Sequence, residues 1–141
     1  MKLVDANVLV HAVNTDAPHH EASRRWLDAA LSGADTVAFS WLALLAFVRL
    51  TTEAGLFPQP FTVDEAMDRV DAWLAAPPAV VVEPGPDHGR TVRCLLRDVG
   101  VGANLVDDAH LAALAIAHRC DVVSFDNDFD RLGVRRHVPT A

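Results

Sequence analysis

An α/β fold built on a central, mostly parallel sheet of four or five strands is the architecture this sequence predicts, on three observations. Short β-favouring runs recur at residues 2–4, 36–39, 79–82 and 121–125. Longer stretches with helical apolar spacing separate them. Parallel neighbours need crossover helices, so such alternation implies a sheet covered on both faces, a three-layer α/β/α sandwich. With 141 residues, 51% of them hydrophobic, the chain can fill one substantial core and is too short for two, so a single domain over 1–141 is expected.

The elements follow in order. The first strand, Lys2 to Val4, ends at Asp5, and Asn7 to Val13 continues as helix. Residues 18–31 read as an amphipathic helix with Pro18 in its first turn, Ala22, Trp26 and Leu27 on one face and Gly33 just past its end. A brief strand at 36–39 precedes the apolar helix Trp41 to Thr52, for which Gly55 is the expected C-terminal cap. Thr62 followed by Glu65 forms a capping box, and Val63, Ala66, Val70 and Trp73 make the stripe of the helix it opens. A strand at 79–82 lies between Pro77-Pro78 and Pro84. A helix at 87–99 is closed by Gly100, a loop at 100–104 is the expected mobile segment, and a strong helix at 107–119 feeds the strand at 121–125.

Charge and cysteine content narrow the functional classes. Twelve Lys and Arg against nineteen Asp and Glu give a formal net charge of -7, which argues against nucleic-acid binding through net charge alone. An acidic metal site accounts for several of those carboxylates and turns cationic once loaded, so a nuclease stays open. Lys2 is the sole lysine; the other cations are arginines, whose forks suit phosphate, although a GC-rich genome explains the same bias. Cys94 and Cys120 are far apart and form no C-x-x-C pair, so buried thiols in a reducing compartment are expected. Asp5 interrupts the apolar N-terminal run and no stretch approaches membrane-spanning length, which points to a cytoplasmic protein without membrane association.

In open α/β sheets, sites form beyond the C-terminal ends of the strands. Asp5 closes the first strand, Asp126 follows the last, and Asp108 opens the helix that returns to that last strand, so three acids are expected at one edge. Clustered carboxylates repel unless a cation neutralises them, and hard oxygen donors without Cys or His suit Mg²⁺ or Mn²⁺. Such an ion activates water and polarises a phosphoryl oxygen, making phosphodiester hydrolysis the natural chemistry. Helix capping is the plain alternative for each aspartate taken singly.

Four segments carry a family likeness: KLVDANVLV at the start, WLALLAFVRLTT from Trp41 to Thr52, DAHLAALAIAH from Asp108 to His118, and VVSFDNDF from Val122 to Phe129. In this order, across essentially the whole chain, the set resembles a PIN domain, and more closely the VapC toxins of bacterial toxin–antitoxin pairs, especially the mycobacterial group. The resemblance implies a PIN-like sandwich and a Mg²⁺-dependent endoribonuclease toxin that hydrolyses RNA by metal-activated water. It also implies neutralisation by a cognate VapB-like antitoxin, and a homodimer. Carried over by position, Asp5, Asp108 and Asp126 are the implied metal and catalytic carboxylates, with Asp128 and Asp107 as possible additional acids. Asn7 and Ser124 are implied to orient Asp5 and Asp126, with local turn bonding as the alternative. Arg49 is a candidate for gripping the RNA backbone.

One departure stands out. Many PIN domains carry Glu three residues before an Arg in the helix after the second strand; here that position is Ala46, ahead of Arg49. A second metal is therefore in question, and an inactive PIN module that binds antitoxin or RNA without cleavage is the alternative. Glu53 lies too far along the helix to substitute. His19-His20-Glu21 resembles a metal cluster, yet consecutive helical side chains diverge, so a solvated helix start is expected. His110 reads as half-buried packing, and Trp26, Trp41 and Trp73 as core or partner surface ahead of base-stacking platforms. A haloacid-dehalogenase phosphatase needs a second acid where Asn7 stands, and a receiver domain needs a late lysine that the chain lacks.

Overall fold

The computed structural model describes residues 1–140. Five strands and six α-helices alternate along the chain: β1 (Lys2–Val4), α1 (Ala6–Val13), α2 (His20–Leu31), β2 (Val37–Phe39), α3 (Trp41–Thr52), α4 (Val63–Ala75), β3 (Ala79–Val81), α5 (His88–Val99), α6 (Leu105–His118), β4 (Asp121–Val123) and β5 (Arg136–His137), with a 3₁₀ turn at Asn127–Arg131 between β4 and β5. Every pairing is parallel and the strand order is β3-β2-β1-β4-β5. The chain winds outward from β1 on one side and returns to the other side at β4. The order therefore reverses between β1 and β4, and a crevice opens beyond their carboxyl ends.

Alternation along the strands divides the core into two layers. Val4, Val37, Phe39 and Val123 face α1 to α4. Leu3, Ala38 and Val122 face the other way, against Leu111, Ala112, Leu114 and Ala115 of α6. Both sheet faces are thus buried, as the strand runs imply. Phe47 of α3 and Trp73 of α4 meet edge to face at 4.8 Å, anchoring the first layer. Each fully buried large side chain of this kind contributes about 1.5–3 kcal/mol by leaving water. The edge strands are very short: β3 lies between Pro78 and Pro84, and β5 has two residues with Pro139 close behind.

Several local expectations are corrected. Helix α2 starts at His20, because Asn14 to Ala17 and Ala17 to His20 form successive hydrogen-bonded turns and Asn14 Oδ1 accepts from Asp16 N. Helix α3 ends at Thr52 as expected, with the Thr51 and Thr52 hydroxyls bonding back to the Phe47 and Val48 carbonyls, but its cap is Glu53; Gly55 serves the following turn at φ +85°. The Thr62–Glu65 capping box is present, but Val63 is 64% exposed and falls off the buried stripe. Helix α6 begins two residues early because Leu105 buries itself, which places Asp108 within the first turn and not at the cap. Gly100 caps α5 in the left-handed region. Cys120 is buried as expected, whereas Cys94 is exposed. Trp73 is buried and Trp26 packs half-buried on the core, while Trp41 is exposed. Among the described residues, no helix is long and apolar enough to cross a membrane.

Candidate metal centre

Strand β1 delivers Asp5 to the crevice, and its backbone N–H bonds Val123 O at 3.0 Å, which fixes it against β4. Its carboxylate caps α1, accepting from Ala6 N at 2.7 Å through Oδ1. Oδ2 accepts from the Ser124 hydroxyl at 2.7 Å and from Asn7 Nδ2 at 3.3 Å. Asn7 also donates to Ser124 Oγ at 3.1 Å, and its Oδ1 accepts from Phe125 N at 3.3 Å. Ser124 Oγ accepts from Asp126 N at 3.0 Å. A buried serine and an asparagine thus lock the end of β1 to the end of β4.

Asp126 caps the 3₁₀ turn by accepting from Asp128 N at 2.9 Å. That tight turn brings Asp128 back toward α6. Carboxylate oxygens of Asp108, Asp126 and Asp128 lie within 4.8 Å of one another. The Asp5 carboxylate stands outside this trio but lines the same cleft, a hollow of about 530 Å³ shared with Asp108, Asp126 and Asp107. The capping alternative therefore holds structurally for Asp5 and Asp126, and fails for Asp108, which sits inside its helix.

Electrostatics at the cleft are strained by like charge. Burial first, then the Asp126 carboxyl beside it and the charges of Asp5 and Asp128, together push the Asp108 carboxyl up to about 8. Asp5 is also raised, chiefly by burial, against the lowering from its Ser124 and Ala6 hydrogen bonds. Among the described residues, no Lys or Arg pairs with Asp5, Asp108 or Asp126; the neighbouring pairs are Arg131 with Asp128 and Arg136 with Asp130. Asp5, Asp107, Asp108 and Asp126 line one hollow with oxygen donors, Arg49 on the opposite wall pairs with none of them, and this set matches the donor chemistry of a hard divalent ion.

The opposite wall is helical. Leu42, Leu45, Ala46 and Arg49 of α3 line the cleft, their spacing putting them on one face, and Arg49 is exposed and free of ion pairs among the described residues. Ala46 therefore faces the acids, and nothing on α3 replaces the missing carboxylate; Glu53 is at the helix end, outside the lining. Asp107 is exposed at the rim, near His110. The His19-His20-Glu21 run holds no metal geometry: His20 Nδ1 meets His11 O at 2.9 Å, Glu21 pairs with Arg24 and Arg25, and His19 turns onto Phe125. Sequence reasoning left Asp128 as an optional acid because its placement depends on a 3₁₀ turn that apolar spacing does not reveal. It passed over Phe125, whose only signal was its position between Ser124 and Asp126.

Residues 2–135 match the model of the PIN domain. The chain belongs to the PIN-domain family. Within it, the likeness runs to VapC ribonucleases. Ribonuclease VapC37 of Mycobacterium tuberculosis is 58% identical over 142 positions, covering 100% of this chain and 99% of that protein. Ribonuclease VapC31 of the same species is 38% identical, covering 98% of this chain and 97% of its own length. Among solved structures, VapBC2 from Rickettsia felis, bound to a DNA fragment from the promoter, matches with a TM-score of 0.72 at 17% identity, over 99% of this chain and 98% of that one. VapC20 of M. tuberculosis, described as a Sarcin-Ricin loop cleaving toxin, matches with the same TM-score and identity over 95% and 96%. Both share this fold.

Proposed function

We propose that this protein is a VapC-like toxin, an endoribonuclease dependent on Mg²⁺ or Mn²⁺. The observation that carries the reading is the carboxylate cluster at the β1/β4 crevice, where no Lys or Arg pairs with Asp5, Asp108 or Asp126 among the described residues and Asp108 is driven up to about 8 by burial and by its acidic neighbours. High identity to VapC ribonucleases over the full chain supports the same reading. Asp5, Asp108, Asp126 and Asp128 are the residues that would hold the ion, with Asp107 at the rim. When bound, the ion supplies charge neutralisation at the scissile phosphate and a nucleophile from water.

The chain's own residues do the rest. Ser124 and Asn7 hold Asp5 in one rotamer, and the Asp126 backbone is pinned by the same hydroxyl, so the carboxylates are set before substrate arrives. Arg49, exposed on the α3 wall of the cleft, is the proposed grip on the RNA backbone beside the cut. A VapB-like antitoxin is the proposed partner, consistent with the VapBC complexes that share the fold, and a homodimer and a cytoplasmic location belong to the same reading.

Purified protein, freed of any partner, tests this directly. Single-stranded and structured RNAs are expected to be cut with Mg²⁺ and spared with EDTA, and Asp108→Ala is expected to abolish cutting while circular dichroism stays unchanged. Binding of RNA without cleavage under Mg²⁺, Mn²⁺ and other divalent ions would favour the non-catalytic module that Ala46 suggests.

A further inference from the structure

On the α1 side, around Phe125 at the end of the β4 segment, three rings form a cluster that the proposed chemistry does not use. His19 stacks on Phe125 with centroids 4.2 Å apart and planes 11° from parallel. His11 lies 5.2 Å from His19 and 5.3 Å from Phe125, tilted to both. Being almost equidistant from two rings stacked 4.2 Å apart, His11 must flank the stack at its edge; over the outer face of His19 it would lie much farther from Phe125. His19 is exposed, and among the described residues its ring makes no hydrogen bond. One broad face of His19 is therefore covered by Phe125, while the residue as a whole stays exposed.

The stack is tied to the site through its lower ring. Phe125 lies between Ser124, which donates to Asp5, and Asp126, which lines the cleft, and its N–H is held by Asn7. His11 braces it from α1, and His20 Nδ1 meets the His11 carbonyl oxygen, which fixes the turn that presents His19. An exposed flat ring, pre-stacked on the chain neighbour of the cleft-lining Asp126, matches the way proteins hold unpaired bases, by stacking on aromatic or histidine planes.

We infer that the outer face of His19, backed by Phe125, is a stacking subsite for one unpaired nucleobase flanking the scissile phosphate. The inference rests on the ribonuclease reading. Its consequence is that the enzyme takes single-stranded or looped RNA and immobilises one base beside the cut, with little regard to which base it is, since each has a π face. Stacking needs the plane of the ring and not its charge, so other flat side chains at residue 19 are expected to serve.

The test is a single-stranded oligoribonucleotide of mixed sequence, bound with Ca²⁺ in place of Mg²⁺, with an abasic nucleotide moved through it one position at a time. Wild type is expected to lose about tenfold in affinity when the abasic position meets His19. His19→Ala is expected to lose the same factor with intact RNA and to be indifferent to that abasic position. His19→Trp is expected to restore both the affinity and the abasic sensitivity, which a general loosening of the loop would not do. With Mg²⁺, His19→Ala is expected to raise KM with little change in kcat. A flat abasic scan in wild type that binds RNA, or additive losses for His19→Ala and the abasic nucleotide, would overturn the subsite. Wild type that neither binds nor cuts RNA would instead overturn the ribonuclease reading on which it stands.

Discussion

Replacing Asp108 by Asn removes a charge from the cleft while keeping the side chain's size, and the structure predicts opposite effects with and without metal. In the folded chain the Asp108 carboxyl titrates near 8 in place of 3.8, because burial and the Asp126, Asp5 and Asp128 carboxylates disfavour its ionised form. An acid whose folded value is raised stabilises the fold below the unfolded value and loses that contribution as pH climbs through the folded one. The window is therefore about pH 4 to 8. At about 1.4 kcal/mol per unit, four units set a ceiling of about 6 kcal/mol. Water reaches this half-buried group and screens the repulsion, which reduces the expected effect to about 1–2 kcal/mol. Urea unfolding in EDTA is expected to show Asp108→Asn more stable than wild type by that amount at pH 8, with the difference vanishing near pH 4. Saturating Mg²⁺ reverses the order, since an ion at a hundred times its Kd adds about 2.7 kcal/mol to a protein that binds it. If the variant proved no more stable than wild type at pH 8 without metal, or gained as much from Mg²⁺, the crowding of acids at this edge would be refuted.

Ser124→Ala removes a buried hydroxyl that serves Asp5, Asn7 and Asp126, so a loss of about 1–3 kcal/mol in urea unfolding is expected, with metal affinity by calorimetry down about 10–100-fold. Ala46→Glu adds a carboxylate to the α3 wall; it is expected to tighten Mn²⁺ binding severalfold in the same titration and to lower the melting temperature in EDTA, and unchanged binding would show that residue 46 faces away from the ion. Thr62→Ala breaks the capping box of α4 and is expected to cost about 1 kcal/mol of stability while RNA cleavage stays at the wild-type rate, because α4 lies outside the cleft.

Local signals in the sequence were the readable ones. The Thr62–Glu65 box, the Gly100 cap of α5 and the short β-favouring runs between helical stretches are set within a few residues, and they led to an α/β sandwich with Asp5, Asp108 and Asp126 at one edge. What escaped was set by tertiary contact. Val63 sits on the apolar stripe but finds no neighbour to cover it, and Leu105 starts α6 early because a core pocket is waiting for it. Strand β5 is two residues, Arg136 and His137, with no apolar signature, and it pairs only because β4 offers a free edge. Asp128 joins Asp108 and Asp126 through a turn whose geometry the residue pattern does not disclose, and the His19 stack depends on two loops meeting in space.

The two ends of the sheet carry a further consequence. With β3 three residues long between prolines and β5 shorter still, the exposed rows of backbone N–H and C=O groups are too brief to template another chain. In a molecule with half its residues hydrophobic and a fully parallel sheet, the brevity of these borders works against fibril-like polymerisation.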